Sequence, residues 1–491
     1  MKKRKEKKRA SLLLRFLSKL LWILALACTI FFGYELYKLN MLPTKYYLIA
    51  MAAMFLIVFI IGVVALRKRA GKISLTIISI FSLIFIAISL FGSLKIKDTV
   101  SFMEKNLGIK FETNIYYVLV NKDSEFEELK DIKGETVFSY KDMDDMDLVE
   151  SSLTKKVKVD IEYSDSIYDL LNNLINNKEL VVYVNSGNYD FMTQNNEEYA
   201  KKVRILETIE IKTKKEVKKT GIDVTEDPFI ILVNGIDTRS DSLPSRSLSD
   251  VNMLIAINPE THKILLVHIP RDYYLDIPGT GAKDKLTHTG TIGGVDTTIA
   301  TIENAFNIKI AYYVRVNFNF VTNLVDSVGG IDIYNDQPYG FTCWTDSGCY
   351  FSPGDNYGVG GRCALAFARE RYAYESGDRH RGENQQHVIE RILQKLTSST
   401  AIISNYNGIL NALNGTFETN MTNEELTSLI KMQVNEMPSW SLEKYSVTGS
   451  GMGAYTYSYP NQELYVMVPD VNTMNEAVLK INEVLGVESD E

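Results

Sequence analysis

Histidine and cysteine are scarce in this chain, five and four among 491 residues. Zinc ribbons and multi-metal cages draw on those side chains, and so small a supply argues against them. The signature loops of common nucleotide enzymes and hydrolases are missing too. There is no GxxxxGK[ST] phosphate loop, Gly358–Arg362 (GVGGR) does not make one, and neither HExxH nor GxSxG occurs. No internal repeat or low-complexity tract is visible. An excess of positive charge is absent from most of the chain. Residues 98–491 hold 36 basic and 59 acidic side chains, net −23, which argues against non-specific nucleic-acid binding. What remains is ample for folding. Hydrophobic residues make up 45% and charged residues 23%, so gross disorder is excluded. The length predicts roughly two to four domains. A mean hydropathy of −0.07 excludes a polytopic membrane protein along the whole length.

That average hides a basic, apolar beginning. Residues 1–97 hold 17 basic and 2 acidic side chains, net +15. Residues 2–9 (KKRKEKKR) read as a cytoplasmic anchor by the positive-inside rule. Three apolar runs follow, Leu20–Tyr37, Tyr46–Leu66 and Ile73–Leu94. Each is long enough to cross ~30 Å of hydrocarbon. Arg15 and Lys19 can snorkel at the inner end of the first. The loop at 67–72 (RKRAGK) is basic and should face inward. The expected topology has a cytoplasmic N-terminus, a multi-pass anchor of three spans over residues 1–97, and everything from residue 98 onward outside. No small-residue cleavage site precedes the second span, so the first reads as an anchor and not as a cleaved signal.

Residues 98–220 are expected to form an extracellular accessory domain. Asn114–Val120 and Glu179–Val184 read as strands and Asp169–Asn177 as a helix. The stretch 128–137 (ELKDIKGETV) looks like the opening of a solute-binding lobe, with a structural spacer as the plainer reading. Polar Ile211–Lys219 is expected to bridge two domains. In residues 225–485, Phe229–Ile236, Val251–Ile257, Lys263–Ile269, Tyr312–Val316 and Ile331–Tyr334 read as strands. Val295–Phe306, Asn319–Val328, Gly360–Arg371 and Glu383–Thr397 read as helices. That alternation predicts an α/β core with helices on both faces of a sheet. Such sheets place their sites at the carboxyl ends of strands, where Asp237 and Arg271 stand.

Arginines cluster between Arg362 and Arg391. Arg369 and Arg371 bracket one residue at the end of an apolar helix, and Arg379 and Arg381 bracket one at the start of the next. The planar guanidinium fork matches two phosphate oxygens. Asp237 follows one strand and Asp250 precedes another. Two carboxylates at neighbouring strand ends suit one Mg²⁺ or Mn²⁺ completed by phosphate oxygens and water. Arg271 adds a further phosphate contact. Cys343 and Cys349 flank a short loop and are expected to form a local disulfide on an oxidising exterior, leaving Cys363 as a buried thiol and Cys28 packed in the first span.

NGIDTRS (234–240), SDVNMLIAINPETHKILLVHIPRD (249–272), DKLTH (284–288), GGVDTTIATIENAF (293–306), VDSVGGIDI (325–333) and ALAFARERYAYESGDRHRGENQQHVI (364–389) resemble the LytR–CpsA–Psr family. The three preceding spans and the extra outer domain resemble its capsule-associated branch. The resemblance implies a three-layer α-β-α domain at the outer membrane face. Its implied activity is phosphotransfer of a glycopolymer (capsule, teichoic acid or similar) from an undecaprenyl pyrophosphate carrier to peptidoglycan, the prenyl chain being held in an apolar tunnel. The family's metal-binding acids fall on Asp237 and Asp250, and its pyrophosphate arginines on Arg271, Arg369, Arg371 and Arg381. Gln385 matches a polar head-group contact. Asp237, Arg271, Arg369 and Arg371 are the expected catalytic set. Two positions depart. Leu248 stands where the family commonly has Arg before the SD pair, with Arg246 two residues earlier as the candidate substitute, and Asn384 stands where some members have Arg. A polyprenyl pyrophosphate hydrolase and a non-enzymatic membrane sensor or binding module are the alternatives. Direct control of transcription is disfavoured, because the cytoplasmic segments are too short for a DNA-binding domain.

Overall fold

The three apolar runs form helices α1 (Leu12–Leu39), α2 (Thr44–Leu66) and α3 (Lys72–Asn106), each longer than its apolar run. All three are long and apolar enough to cross a membrane. The structure, a computed structural model, describes residues 12–40, 42–68, 70–106, 109–140, 146–216, 220–236, 243–398, 408–409, 412 and 415–487. The basic stretch 2–9 and Asp237 lie outside the described residues. Two compact units emerge, Met1–Lys105 with Asn423–Pro438, and Asn106–Thr422 with Ser439–Glu491. In the first, small and polar residues such as Ser18, Ala25, Thr29, Gly33 and Gly62 share the buried positions with apolar Val58, Ile61 and Leu75, small residues letting helices approach closely. Ser18 and Ser79 hydroxyls lie 2.9 Å apart, and the Trp22 indole donates to the Val58 carbonyl at 3.0 Å. A β-carbon on Gly62 would meet that indole at 2.5 Å, so only glycine admits it.

The second unit begins with a five-stranded sheet. Its strands are β1 (Ile109–Asn121), β2 (Thr136–Tyr140), β3 (Asp160–Ser164), β4 (Val181–Asn185) and β5 (Val203–Glu216), in the order β3-β2-β4-β1-β5. β2, β3 and β4 run parallel, and β1 runs antiparallel to β4 and β5. Helix α4 (Met146–Thr154) packs on one face through Val149 and Leu153, and α5 (Ile167–Leu174) on the other through Leu170, Leu171 and Leu174. Ser166 caps α5, accepting from the Asp169 amide, and Asn185 caps α6 (Ser186–Asn195) through the Asn188 amide. Short α7 (Glu197–Lys202) leads into β5. The expected bridge at 211–219 is corrected over Ile211–Glu216, which pairs along β1 as the end of β5, and residues 217–219 lie outside the described residues. A long edge-to-edge partner outweighs the polarity that made this stretch read as a linker.

The larger sheet has the order β16-β11-β6-β7-β8-β17. It comprises β6 (Phe229–Ile236), β7 (Ser249–Asn258), β8 (Lys263–Ile269), β11 (Tyr312–Val316), β16 (Phe417–Thr419) and β17 (Ser441–Ser446). The sheet is mixed: β6, β7 and β8 are successive antiparallel neighbours, and the β11–β6 and β17–β8 pairs are parallel. A small hairpin, β9 (Tyr274–Ile277) with β10 (Ala282–Lys285), precedes α8 (Leu286–Phe306), which kinks at Gly293 and Gly294. After β11 come α9 (Phe318–Ser327), the pairs β12 (Ile331–Asn335) with β15 (Gly354–Val359) and β13 (Phe341–Thr342) with β14 (Tyr350–Phe351), and helices α10 (Gly361–Ala368) and α11 (Asp378–Ser398). α12 (Asn423–Glu436) belongs to the first unit, where Lys431 donates to Asn40 at 2.6 Å. β18 (Gly449–Ala454), β19 (Leu464–Pro469) and α13 (Val471–Leu485) close the chain. α8 and α13 bury Ile302, Phe306, Ala477 and Ile481 on one face of the sheet. α11 lies on the other, where Gln386 donates to the carbonyls of Leu266 and Tyr445 at 3.1 and 2.7 Å. The result is the three-layer α-β-α domain the resemblance implies.

The two sheet domains share a core. Leu248 and Tyr459 from the second pack among Leu119, Leu171, Val182 and Phe191 of the first. The disulfide expectation is corrected as well. Cys349 pairs with Cys363, 5.3 Å apart at Cα, and Cys343 is a free, buried thiol. The first turn of α10 folds back against Cys349, a proximity that spacing along the chain does not reveal, while Cys343 points into the cluster of Phe341, Phe367 and Tyr374.

Candidate active site

β7 runs antiparallel to β8, with Asn252 opposite Ile269, so the start of one strand adjoins the end of the other. That register brings Asp250 to Arg271, and the Arg271 Nη1 donates to Asp250 Oδ1 at 3.1 Å. The start of α8 completes the corner. The Thr287 amide donates to the Arg271 carbonyl at 2.8 Å and its hydroxyl to Asp250 Oδ1 at 3.2 Å. Asp272 accepts from Lys285 at 2.9 Å and lies 3.8 Å from the Arg271 Nε. β6 ends at this same edge, with Ile236 beside Ser249.

Arg381, on the first turn of α11, pairs with Asp378 at 2.9 Å and lines a small pocket with Asp250, His268, Arg271 and Arg379. α11 comes close here, since a β-carbon on Gly382 would meet the His268 ring at 2.2 Å. Burial pulls the Asp250 carboxyl upward, yet Arg271 and Arg381 outweigh it and hold the group below its ordinary value. Burial and then the neighbouring Arg271 lower Arg381. Burial, with Arg381 beside it, lowers His268 to about 4, so this imidazole is neutral at physiological pH.

Asp250 also lines a second, apolar cavity. Val233, Val251, Phe318, Val321, Leu365 and Val388 form its walls, and Arg369 and Gln385 add polar groups to its lining. The Arg369 guanidinium lies 4.3 Å from the centre of the Phe318 ring. Arg371 stacks against Trp344 and Tyr372, at 5.4 and 4.8 Å. Between these arginines Glu370 is 1% exposed. Its carboxylate accepts the backbone N–H of Arg371, Tyr372, Ala373 and Trp344 at 2.8–3.0 Å, fixing the loop that presents both arginines. Nearby, burial and then Glu370 push the Cys343 thiol up to about 12, so it is not a nucleophile.

The structure thus brings Asp250, Arg271 and Arg381 into one pocket, and Asp250, Arg369 and Gln385 around the adjoining apolar cavity. Asn384 is a buried cross-link, donating to the Phe367 carbonyl at 3.2 Å and to the Tyr374 hydroxyl at 3.1 Å. Arg246 stands apart. Its guanidinium donates to the carbonyls of Thr291 and Ile292, beside a different groove. Leu248 is buried in the shared core, so neither residue brings a cation to the Asp250 pocket. Sequence reasoning missed Thr287, Asp378 and Glu370. Thr287 lies in the DKLTH stretch and Asp378 starts α11, whereas an acid between two arginines carries no sign of burial.

The profile of the LytR–CpsA–Psr family matches residues 181–472. A polyisoprenyl-teichoic acid–peptidoglycan teichoic acid transferase TagU of Enterococcus faecalis is 34% identical over 223 residues, 45% of this chain and 70% of that protein. The TagU of Bacillus anthracis is 35% identical over 205 residues, 42% of this chain and 64% of that protein, just under two thirds of its length. Among solved structures, Bacillus subtilis TagV is 27% identical, covers 54% of this chain and 99% of its own, and superposes with a TM-score of 0.45.

Proposed function

The chain belongs to the LytR–CpsA–Psr family, and on that footing we propose that it transfers a glycopolymer from a polyprenyl pyrophosphate carrier onto peptidoglycan at the outer face of a membrane. One observation carries the reading: Asp250 is shared by an arginine pocket and an apolar cavity. An amphipathic ligand with an anionic head and a hydrocarbon tail fits that junction. Arg271 and Arg381 bind the phosphates. Arg369 and Gln385 flank the apolar side, where an undecaprenyl chain would lie, while Arg371 stands on the adjoining loop against Trp344 and Tyr372. The acceptor sugar hydroxyl attacks the phosphorus that bears the glycan, a P–O bond to the sugar forms, the bridging P–O bond breaks, and polyprenyl phosphate leaves. Fixed guanidinium groups stabilise the charge on that leaving phosphate, as in phosphoryl transfers governed by positioning and electrostatics. Asp250 is already ionised and engaged by two arginines, so the acceptor proton goes to another base, for which Asp237 is the candidate.

A Mg²⁺ or Mn²⁺ ion fits the donor chemistry. Asp250 offers a hard carboxylate oxygen kept ionised by its surroundings, and Asp237, next in sequence after Ile236, is the proposed second carboxylate. Such an ion takes one or two carboxylates beside phosphate oxygens and water. Bound there, it would neutralise pyrophosphate charge. The anchor supports a substrate that stays in the bilayer, with the amino terminus inside and the enzyme domain outside. The test is a reconstitution with lipid-linked glycopolymer and peptidoglycan sacculi. Glycan covalently attached to sacculi by wild type, and not by Arg271→Ala, supports the proposal. Release of free glycan phosphate alone assigns a hydrolase, and no turnover by a folded, lipid-loaded protein removes the enzymatic reading.

A further inference from the structure

The groove beside Arg246 lies at the carboxyl ends of three parallel strands. Tyr140 ends β2, Asp165 and Ser166 follow β3, and Asn185 ends β4, and all four line it. The chain passes from β2 outward to β3 and then back across to β4, on the other side of β2. The connecting helices α4 and α5 therefore lie on opposite faces, which makes the β2–β4 boundary a topological switch point. Open α/β sheets bind ligands in the crevice outside the strand ends at such a point. Here the second domain supplies the opposite wall through Arg246, Thr291 and Tyr457, leaving a cavity of about 240 Å³.

The crevice is built in advance. Its two walls are joined by the shared core, by Tyr168 edge-on to Tyr459 at 4.6 Å, and by Phe191 edge-on to His288 at 4.8 Å. The seam is close at Gly187, where a β-carbon would meet the Arg246 backbone at 3.2 Å. The lining is aromatic and mostly uncharged: tyrosine rings, the amides of Asn185 and Asn188, and the hydroxyls of Ser166 and Thr291, with Asp165 and Arg246 as the charged members. This is not a phosphate site, which would gather cations. It is not a pocket for a simple hydrocarbon, which needs no amides. Rings that pack on the C–H face of a pyranose, beside amides that satisfy hydroxyl and acetamido groups, describe a saccharide site.

We propose that this interdomain crevice binds an acetamido sugar of a cell-wall glycan. The volume admits one sugar ring with its substituents. Thr291 lies about one helical turn along α8 from Thr287, which touches Asp250. A glycan unit held there would lie about one helical turn of α8 from the residue that touches Asp250. A role in transfer rests on the transferase reading, whereas the sugar-binding chemistry does not.

Full-length protein in detergent is titrated with N-acetylglucosaminyl-N-acetylmuramic acid, the peptidoglycan repeat, and separately with a soluble wall teichoic acid oligomer, by saturation-transfer NMR. Binding of the first identifies the acceptor strand as the source, and binding of the second alone identifies the donor. Asn188→Ala and Tyr457→Ala should each weaken binding by about tenfold, the worth of one hydrogen bond or aromatic contact. Arg381→Ala should keep sugar binding while losing prenyl lipid, so failure of the transferase reading is seen separately. The proposal is overturned if folded wild type binds neither probe saturably, or if both crevice variants bind as wild type does.

Discussion

Among the described residues, the five-stranded domain buries only uncharged polar side chains, Asn121, Ser124, Ser139, Asn185 and Ser186, whereas the six-stranded domain buries His268, Asp272, Asp284, His288, Arg315 and Glu370. The two are fused through one core, so the contrast is not one of overall burial. Taking charge out of water costs several kcal/mol per ion before pairing offsets it (roughly, for real proteins). A domain with no charged chemistry to perform can avoid this, as the first does. Some charged groups of the second are architectural. Arg315 pairs with Glu418 at 2.9 Å, and Asp284 lies 2.6 Å from His288 Nδ1 while accepting from Ser458. The others converge at one end of β7 and β8 and under the Arg369–Arg371 loop. Paired charge gathered at a strand end, next to an apolar cavity, indicates chemistry more strongly than paired charge spread through a core.

The contrast can be broken most forcefully at Arg271. Arg271→Ala should lower transfer by about 10²–10³-fold, roughly 2.7–4 kcal/mol, the cost of losing one preorganised donor. Initial rates in the reconstituted assay check this. Cys363→Ser should destabilise the second domain by about 3 kcal/mol, appropriate to a bridge closing a loop of ~15 residues. Peptide mapping without reductant should recover Cys349 joined to Cys363, with Cys343 alkylated only after unfolding. Glu370→Gln removes one of the two acceptor oxygens under the arginine loop. It should cost about 1–3 kcal/mol through unsatisfied buried N–H groups. It should also lower kcat while leaving the Cys349–Cys363 bridge intact. The matching change in the first domain is Ser139→Ala, which deletes a 2.6 Å hydrogen bond to the Tyr183 carbonyl. It should cost only about 0.5–1.5 kcal/mol and leave transfer unchanged. Equal losses in the two domains would erase the distinction.

A smaller effect concerns pH. Burial raises the Glu390 carboxyl, but bonds with His387 and Lys444 prevail and hold it at about 2. A carboxylate depressed by folding stabilises the protein above its unfolded pKa, and that contribution fades as pH falls through its folded value. Glu390→Gln should therefore lower Tm at pH 7 and have little effect near pH 2.

Much of the fold is legible in the sequence. Every named strand and helix of the catalytic domain has its counterpart, because its hydrophobic periods are clean and its turns carry Gly, Asn and Asp, but the helix read to Arg371 ends at Ala368, leaving Arg369 to Arg371 on a loop. Asp250 and Arg271 were legible because antiparallel neighbours meet end to start. Arg246 was not. Two residues of displacement before β7 send its side chain to α8 carbonyls in another groove, and sequence distance does not report direction. The disulfide and Glu370 failed for a related reason, since both depend on how α10 folds back over β13 and β14. The bridging stretch before residue 217 misled because a polar edge strand and a linker share a composition.

The most direct test of the central claim is mass spectrometry of lipid retained by the detergent-purified protein, wild type beside Arg271→Ala. Wild type should carry polyprenyl phosphate or pyrophosphate, and the folded variant should lose it. Wild type that is folded yet free of prenyl lipid, or equal loading of both proteins, would contradict it.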